Sequence, residues 1–190
     1  MARTIGLSYL RCIPDAFNPV WRYLKNKIMP STISEILSGL QNRQSTVAWQ
    51  QLLTDIIAAF DCTTGTIHIL DRNTNLLMLQ AQQGIPAFLL PKMSSIPIGK
   101  GMAGIAAERR QPVEMCNLQT DESGVARPAA KETKVEGSIA APMLLGGELY
   151  GTLGIAKPVP YDFTEAETKQ LMQIGEELSR YIRDNDIQPA

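Results

Sequence analysis

After Asp61 the period of the hydrophobic residues changes from 3.6 to 2, and this switch constrains the fold more than any other feature of the chain. Before it, Trp49, Leu52, Leu53, Ile56 and Phe60 share one helical face over a stretch from about Thr46 to Phe60. After it, Thr66-Ile67-His68-Ile69-Leu70 reads as a strand, and Asp71-Arg72-Asn73-Thr74-Asn75 carries turn chemistry. Leu76 to Gln83 is the returning strand, with Leu77, Leu79 and Ala81 on one face and Leu76 and Met78 on the other. Apolar residues on both faces call for a sheet covered on both sides.

The same period returns near the end of the chain. Ser138–Leu145 and Glu148–Ala156 flank Gly146-Gly147, a hairpin signal because both turn positions accept positive φ. Thr164 and Glu167 have capping-box spacing, and Leu171, Ile174, Leu178, Tyr181 and Ile182 line one face of a closing helix. Between the hairpins, Gly99 to Ala107 reads as a short helix of small residues and Pro112 to Cys116 as a short strand. Residues 117–135 form a polar loop whose charged side chains, Asp121, Glu122, Arg127, Lys131, Glu132 and Lys134, mix both signs. Strands returning by tight turns make the sheet largely antiparallel. The expected class is therefore α/β in the α+β sense, with terminal helices on one sheet face and the middle segments covering the other.

Residues 1–45 form a separate region, an arm with a short helix, ahead of a domain at 46–185. Pro14, Pro19 and Pro30 interrupt residues 1–30. Thr32 and Glu35 then open a helical stripe of Ile33, Ile36, Leu37 and Leu40. The arm carries six basic side chains against two acidic ones, while the remainder carries 12 basic and 17 acidic. The mixed, modest charge reads as solvated surface, so neither nucleic acid nor a membrane surface is an expected partner. No run of 18 apolar residues exists and no signal-peptide core is present, so the expected compartment is the cytoplasm. Cys12, Cys62 and Cys116 are odd in number and widely spaced, which suggests reduced thiols. A zinc site would need all three cysteines and His68, so no metal is expected.

Several stretches, in order, resemble a GAF domain over about residues 46–183. They are Thr66–Asp71, Leu77–Ala81 with Gly84, Ile98–Gly104, and Ser138–Met143 with Gly146–Gly154, followed by Asp162-Phe163-Thr164 opening the last helix. The resemblance implies an antiparallel sheet of about six strands. Terminal helices on one face often pair between two subunits, and a pocket on the other face is roofed by the short helix and the variable loop. Subtype signatures do not transfer. Bilin-binding members pair a cysteine with a histidine, whereas Cys116 is followed by Asn117. The cyclic-nucleotide pattern has lysine and phenylalanine ahead of its acid pair, and neither precedes Asp121-Glu122 here. The free methionine sulfoxide reductases of this fold need several cysteines around the pocket, and haem has no support.

The expected function is a non-catalytic sensory or regulatory domain binding a small molecule between the sheet and residues 98–135. His68, Met143 and Tyr150 would form the floor, and Met102, Met115, Cys116, Asp121 and Arg127 the roof. The helices at 33–60 and 164–183 would form a homodimer and pass the signal to a partner protein. Two other readings remain open: a ligand-free dimerisation or adaptor scaffold, and a thiol redox protein acting through Cys116. Gly99, Gly101 and Gly104 also spell a dinucleotide-binding pattern, with Asp121 following, but that chemistry needs a parallel β-α-β crossover. Here antiparallel hairpins flank it.

Overall fold

A computed structural model describes residues 49–120 and 132–189. The arm, the helix expected from Ile33 to Leu40 and the loop residues 121–131, with Asp121 and Arg127, lie outside the described residues. The first helix of the described residues, α1 (Trp49–Ala59), buries Leu52, Leu53 and Ile56 of the stripe that the spacing predicts, and Ile57 beside them. It ends where Asp61 takes φ of 52° and Cys62 N–H donates to the Ile57 carbonyl at 2.9 Å.

Six strands follow: β1 (Thr64–Asp71), β2 (Leu76–Gln83), β3 (Ser95–Pro97), β4 (Val113–Met115), β5 (Ser138–Leu145) and β6 (Glu148–Ala156). They form one sheet of order β3-β2-β1-β6-β5-β4. Every neighbouring pair is antiparallel. The β1–β2 turn is closed by Asp71, whose carboxylate accepts from Asn73 N–H at 2.9 Å and from the Thr74 hydroxyl at 2.6 Å. Gly146 and Gly147 have φ of 58° and 83°, so the β5–β6 hairpin uses the two left-handed positions that only glycine fills without strain.

Three helices complete the described residues. The short α2 (Leu90–Met93) follows a 3-10 turn at Ala87–Leu89, then α3 (Gly101–Arg109) and finally α4 (Glu165–Asp184). The capping box of α4 is present in full. Thr164 Oγ1 accepts from Glu167 N–H at 3.2 Å, and Glu167 Oε2 accepts from Thr164 N–H at 2.8 Å.

Both sheet faces are covered. Helices α1 and α4 lie on one, where Phe60, Ile67, Ile139, Leu153, Leu171, Ile174 and Leu178 pack in one core. Helix α3 lies on the other, where its Ala107 packs with Leu77 and Leu149 and its Ala106 with Val113 and Ala140. Its small residues allow close approach: a Cβ on Gly104 would sit 2.4 Å from the Pro97 carbonyl oxygen. Gly99 turns the chain with φ of 80°. The three spaced glycines thus serve a tight turn and close packing inside an antiparallel sheet.

Candidate functional site

On the α3 side the sheet does not pack fully against its cover. A cavity of about 590 Å³ remains between the middle of the sheet and the segments that cross it. Strand alternation supplies its floor: Thr64, Thr66 and His68 from β1, Ser138 and Ala140 from β5, and Gly154 and Ala156 from β6. The sheet register places Thr66, Gly154 and Ala140 in one row, so two small side chains leave the space that Thr66 faces. Met93 and Ile96 on one side and Lys100 and Met102 on the other form the cover, and Leu118 and Val135 close one end.

His68 is the most unusual group in this wall. It is only 1% exposed. Its Nε2 lies 3.0 Å from the Met93 carbonyl oxygen, which can only accept, so Nε2 carries the proton. The other ring nitrogen, Nδ1, is then a bare acceptor, and among the described residues it has no partner. Burial pushes the imidazole pKa from 6.5 down to about 4, against a smaller upward pull from the Met93 carbonyl, so the ring is neutral near pH 7. Directly opposite in the register stands Thr152, 1% exposed, whose hydroxyl also lacks a partner among the described residues. Buried polar groups are normally satisfied, so two orphans in one cross-strand pair are an anomaly.

Among the described residues, the charged side chains that line the cavity have one sign. Lys92 and Lys100 line it, and no Asp or Glu does among the described residues. The first turn of α3 also lines it, with no acidic residue there and no side chain capping its amides.

Of the residues expected at the site, His68 and Met102 line this cavity together. Met115 packs beside it, against Leu118, Val135 and Ala156, without lining it. Cys116 lies off the lining and is disulfide-bonded, which corrects the expectation of reduced thiols at that position. Cysteine pairing depends on which residues the tertiary fold brings together, and spacing does not reveal that. Cys62 keeps its thiol, with Sγ 3.6 Å from the Phe60 carbonyl.

Met143 and Tyr150 do not join His68. Both sit in the core beneath α1 and α4, on the opposite face of the sheet. Met143 shares the strand parity of Ile139 and Ala141, which face the helices. Tyr150 would share the His68 face by simple alternation from Thr152. The β5–β6 register, however, slips between Met143 and Leu144, and this inserts Tyr150 as an extra residue and reverses the parity. Tyr150 instead lines a recess of about 250 Å³ beside Ile182 and Arg183 at the end of α4. There its hydroxyl donates to Glu148 at 3.0 Å, and Arg72 stands 5.0 Å over its ring while pairing with Glu148 at 2.6 Å.

The cavity residues that sequence reasoning missed are Thr66, Lys92, Met93, Ser138 and Lys100. Met93 belongs to a single helical turn too short to have a period. Thr66 and Ser138 could have been found by extending the parity of His68 along β1 and across the sheet. Among the described residues no group of His, Cys, Asp and Glu is placed to hold a metal, and no helix is long and apolar enough to cross a membrane.

Comparison with known proteins agrees with this architecture. A family model described as GAF domain matches residues 47–183. No curated protein matches the chain in sequence. Among solved structures, the GAF domain of a phosphoenolpyruvate-protein phosphotransferase from Coxiella burnetii is similar at 21% identity, with a TM-score of 0.72, covering 83% of this chain and 94% of that one. The corresponding domain from Acinetobacter gives 20% identity and a TM-score of 0.69, with 83% and 93% covered. A free methionine-R-sulfoxide reductase from Neisseria meningitidis, solved with its substrate, gives 18% identity and a TM-score of 0.68, with 86% and 94% covered. At these identities the likeness carries the fold.

Proposed function

Because the chain belongs to the GAF domain family, we propose that it is a sensory or regulatory module. It binds a small organic molecule in the cavity under α3 and reports occupancy through α1 and α4. The observation that carries this reading is the cavity itself: about 590 Å³ of space with a neutral, buried His68 whose acceptor nitrogen has no partner among the described residues. A wall built only for packing would fill such space or satisfy such a group. The size suits a metabolite-sized ligand, and an apolar lining with few polar groups is the usual form of such sites.

The output would pass through the opposite face. Ile67 and Ile69, on either side of His68 in β1, are buried in the core shared with α1 and α4. Binding that shifts β1 therefore biases how those helices pack, within the chain or between two copies in a homodimer. A signalling partner would read that change.

Native mass spectrometry of the purified full chain, followed by denaturation, tests the reading together with a thermal-shift screen of several hundred metabolites. Excess mass lost on denaturation, or stabilisation by a compound that an Ala103→Phe variant no longer shows, is the expected outcome. Bare dimer mass with no stabilisation by any compound would instead favour an adaptor scaffold.

A further inference from the structure

The following rests on the reading that the cavity holds a small molecule. We propose that its occupant is an organic anion with an apolar body, whose anionic group meets Lys100 and the first turn of α3 and whose hydrogen-bond donor is received by His68 Nδ1.

Three independent observations converge. First, His68 lines the cavity, and its buried Nδ1 is a bare acceptor with no partner among the described residues, because Nε2 gives its proton to the Met93 carbonyl. Only a donor satisfies it, so the ligand presents an O–H or N–H there. A metal ion is a poor occupant, since the described residues offer no further cluster of ligands. Second, α3 opens on the cavity with its first-turn amides uncapped and no acidic residue among them. Those amides and the helix dipole favour negative charge. Third, the charged residues of the described lining are Lys92 and Lys100, both exposed at its edge. Glu108, whose carboxylate lies against Gly99, is not part of the lining. A cation would meet two like charges, and a fully neutral molecule would leave the helix start unanswered. Between these two ends the lining is largely apolar, with Met93, Ile96, Met102 and Val135.

His68 is the only histidine in the chain, so ring-15N-histidine labelling reports residue 68 alone. The probes are two matched sets added to the full chain. One set is indole-3-acetate, 1-methylindole-3-acetate, indole-3-acetamide and tryptamine. The other is 4-hydroxyphenylacetate, 4-methoxyphenylacetate, 4-hydroxyphenylacetamide and tyramine. Each compound that stabilises the chain in the broad screen is measured in the same way. Donor-bearing acids should bind about tenfold more tightly than their methylated counterparts, the order of effect for leaving a buried acceptor unmade, and more tightly than their amides, which keep the donor but lack the anionic group. They should move the Nδ1 resonance while Nε2 keeps its proton. Lys100→Gln, at an exposed position, should weaken the acids and leave the amides unchanged. Amines or amides binding as well as the acids, or a ligand that protects the cavity yet leaves Nδ1 unmoved, would overturn the inference while sparing the sensor reading. If neither the matched sets nor the broad screen yields any binder, the sensor reading fails, and this inference with it.

Discussion

Acidification from pH 7.5 to 5.5 should destabilise the folded chain through His68 alone. The folded imidazole is held at about 4 by burial, while the unfolded chain titrates at about 6.5. The unfolded state therefore binds the proton first, and stability falls as pH drops below 6.5 until the folded pKa is reached. For these two values the linkage relation gives a loss of roughly 1 kcal/mol between pH 7.5 and 5.5, and about 2 kcal/mol by pH 5. The window above 5.5 is the informative one. No second histidine titrates there, and Asp71 and Glu148, both shifted downward by hydrogen bonds, titrate well below it. Glu114 is pushed upward by burial and acts with the opposite sign, gaining stability as it protonates, so it cannot be the source of a loss on acidification. Denaturant unfolding at half-unit pH steps measures the slope. In His68→Gln, which keeps a donor for the Met93 carbonyl, the slope over the window should vanish. A flat profile in the parent chain, or the same slope in the variant, would refute the assignment of a neutral, buried imidazole.

Four further outcomes are expected from thermal or denaturant unfolding. Gly104→Ala should destabilise by about 1–3 kcal/mol despite alanine's better helix propensity, because its Cβ would lie 2.4 Å from the Pro97 carbonyl. Gly146→Ala, with φ of 58° and nothing within 4 Å, should cost only about 1 kcal/mol of backbone strain. Thr164→Ala should remove about 1 kcal/mol by opening the capping box, and Thr164→Ser should retain most of it. Ile56→Ala, at a fully buried position, should cost about 2–5 kcal/mol, whereas Phe88→Ala, at a side chain 64% exposed, should stay within about 0.5 kcal/mol. Equal effects at Ile56 and Phe88 would contradict the placement of the core.

Elements with a strong local signal were legible in the sequence. The stripe of α1, the capping box of α4 and the Gly146-Gly147 turn each rest on interactions within a few residues, so spacing exposes them. The antiparallel pairing and the approximate strand number follow from the hairpins and the family resemblance, whereas the order β3-β2-β1-β6-β5-β4, with its short edge strands, emerges only from the tertiary fold. The site was legible only in part, for a reason of parity. His68 and Thr66 face the cavity as alternation predicts, but Tyr150 stands beyond a bulge, and one inserted residue turns every later side chain over. Nothing in the sequence around Gly151 marks that slip until the strands are paired, when a Cβ there is found to fall 2.1 Å from the His68 carbonyl oxygen. The segment from Ala87 to Pro97 was hidden differently. Its turn, short helix and three-residue edge strand are each too brief for periodicity, yet they supply Met93, Lys92 and Ile96 to the cavity.

The same alternation that misled at Tyr150 explains why a ligand in this cavity would be felt on the far side of the sheet. In β1, Thr66 and His68 face the cavity while Ile67 and Ile69 are at most 1% exposed in the helix-side core. A β-strand cannot move one face without the other, and close-packed interiors transmit such displacements rather than absorbing them. The His68–Met93 hydrogen bond adds a second constraint, since it ties the covering segment to the same strand. A donor reaching Nδ1 therefore acts on a group already coupled to the cavity's cover through its other nitrogen and to α1 and α4 through its sequence neighbours. Under the proposed function, one strand suffices to connect the site to its readout, and no longer chain of side chains need be invoked.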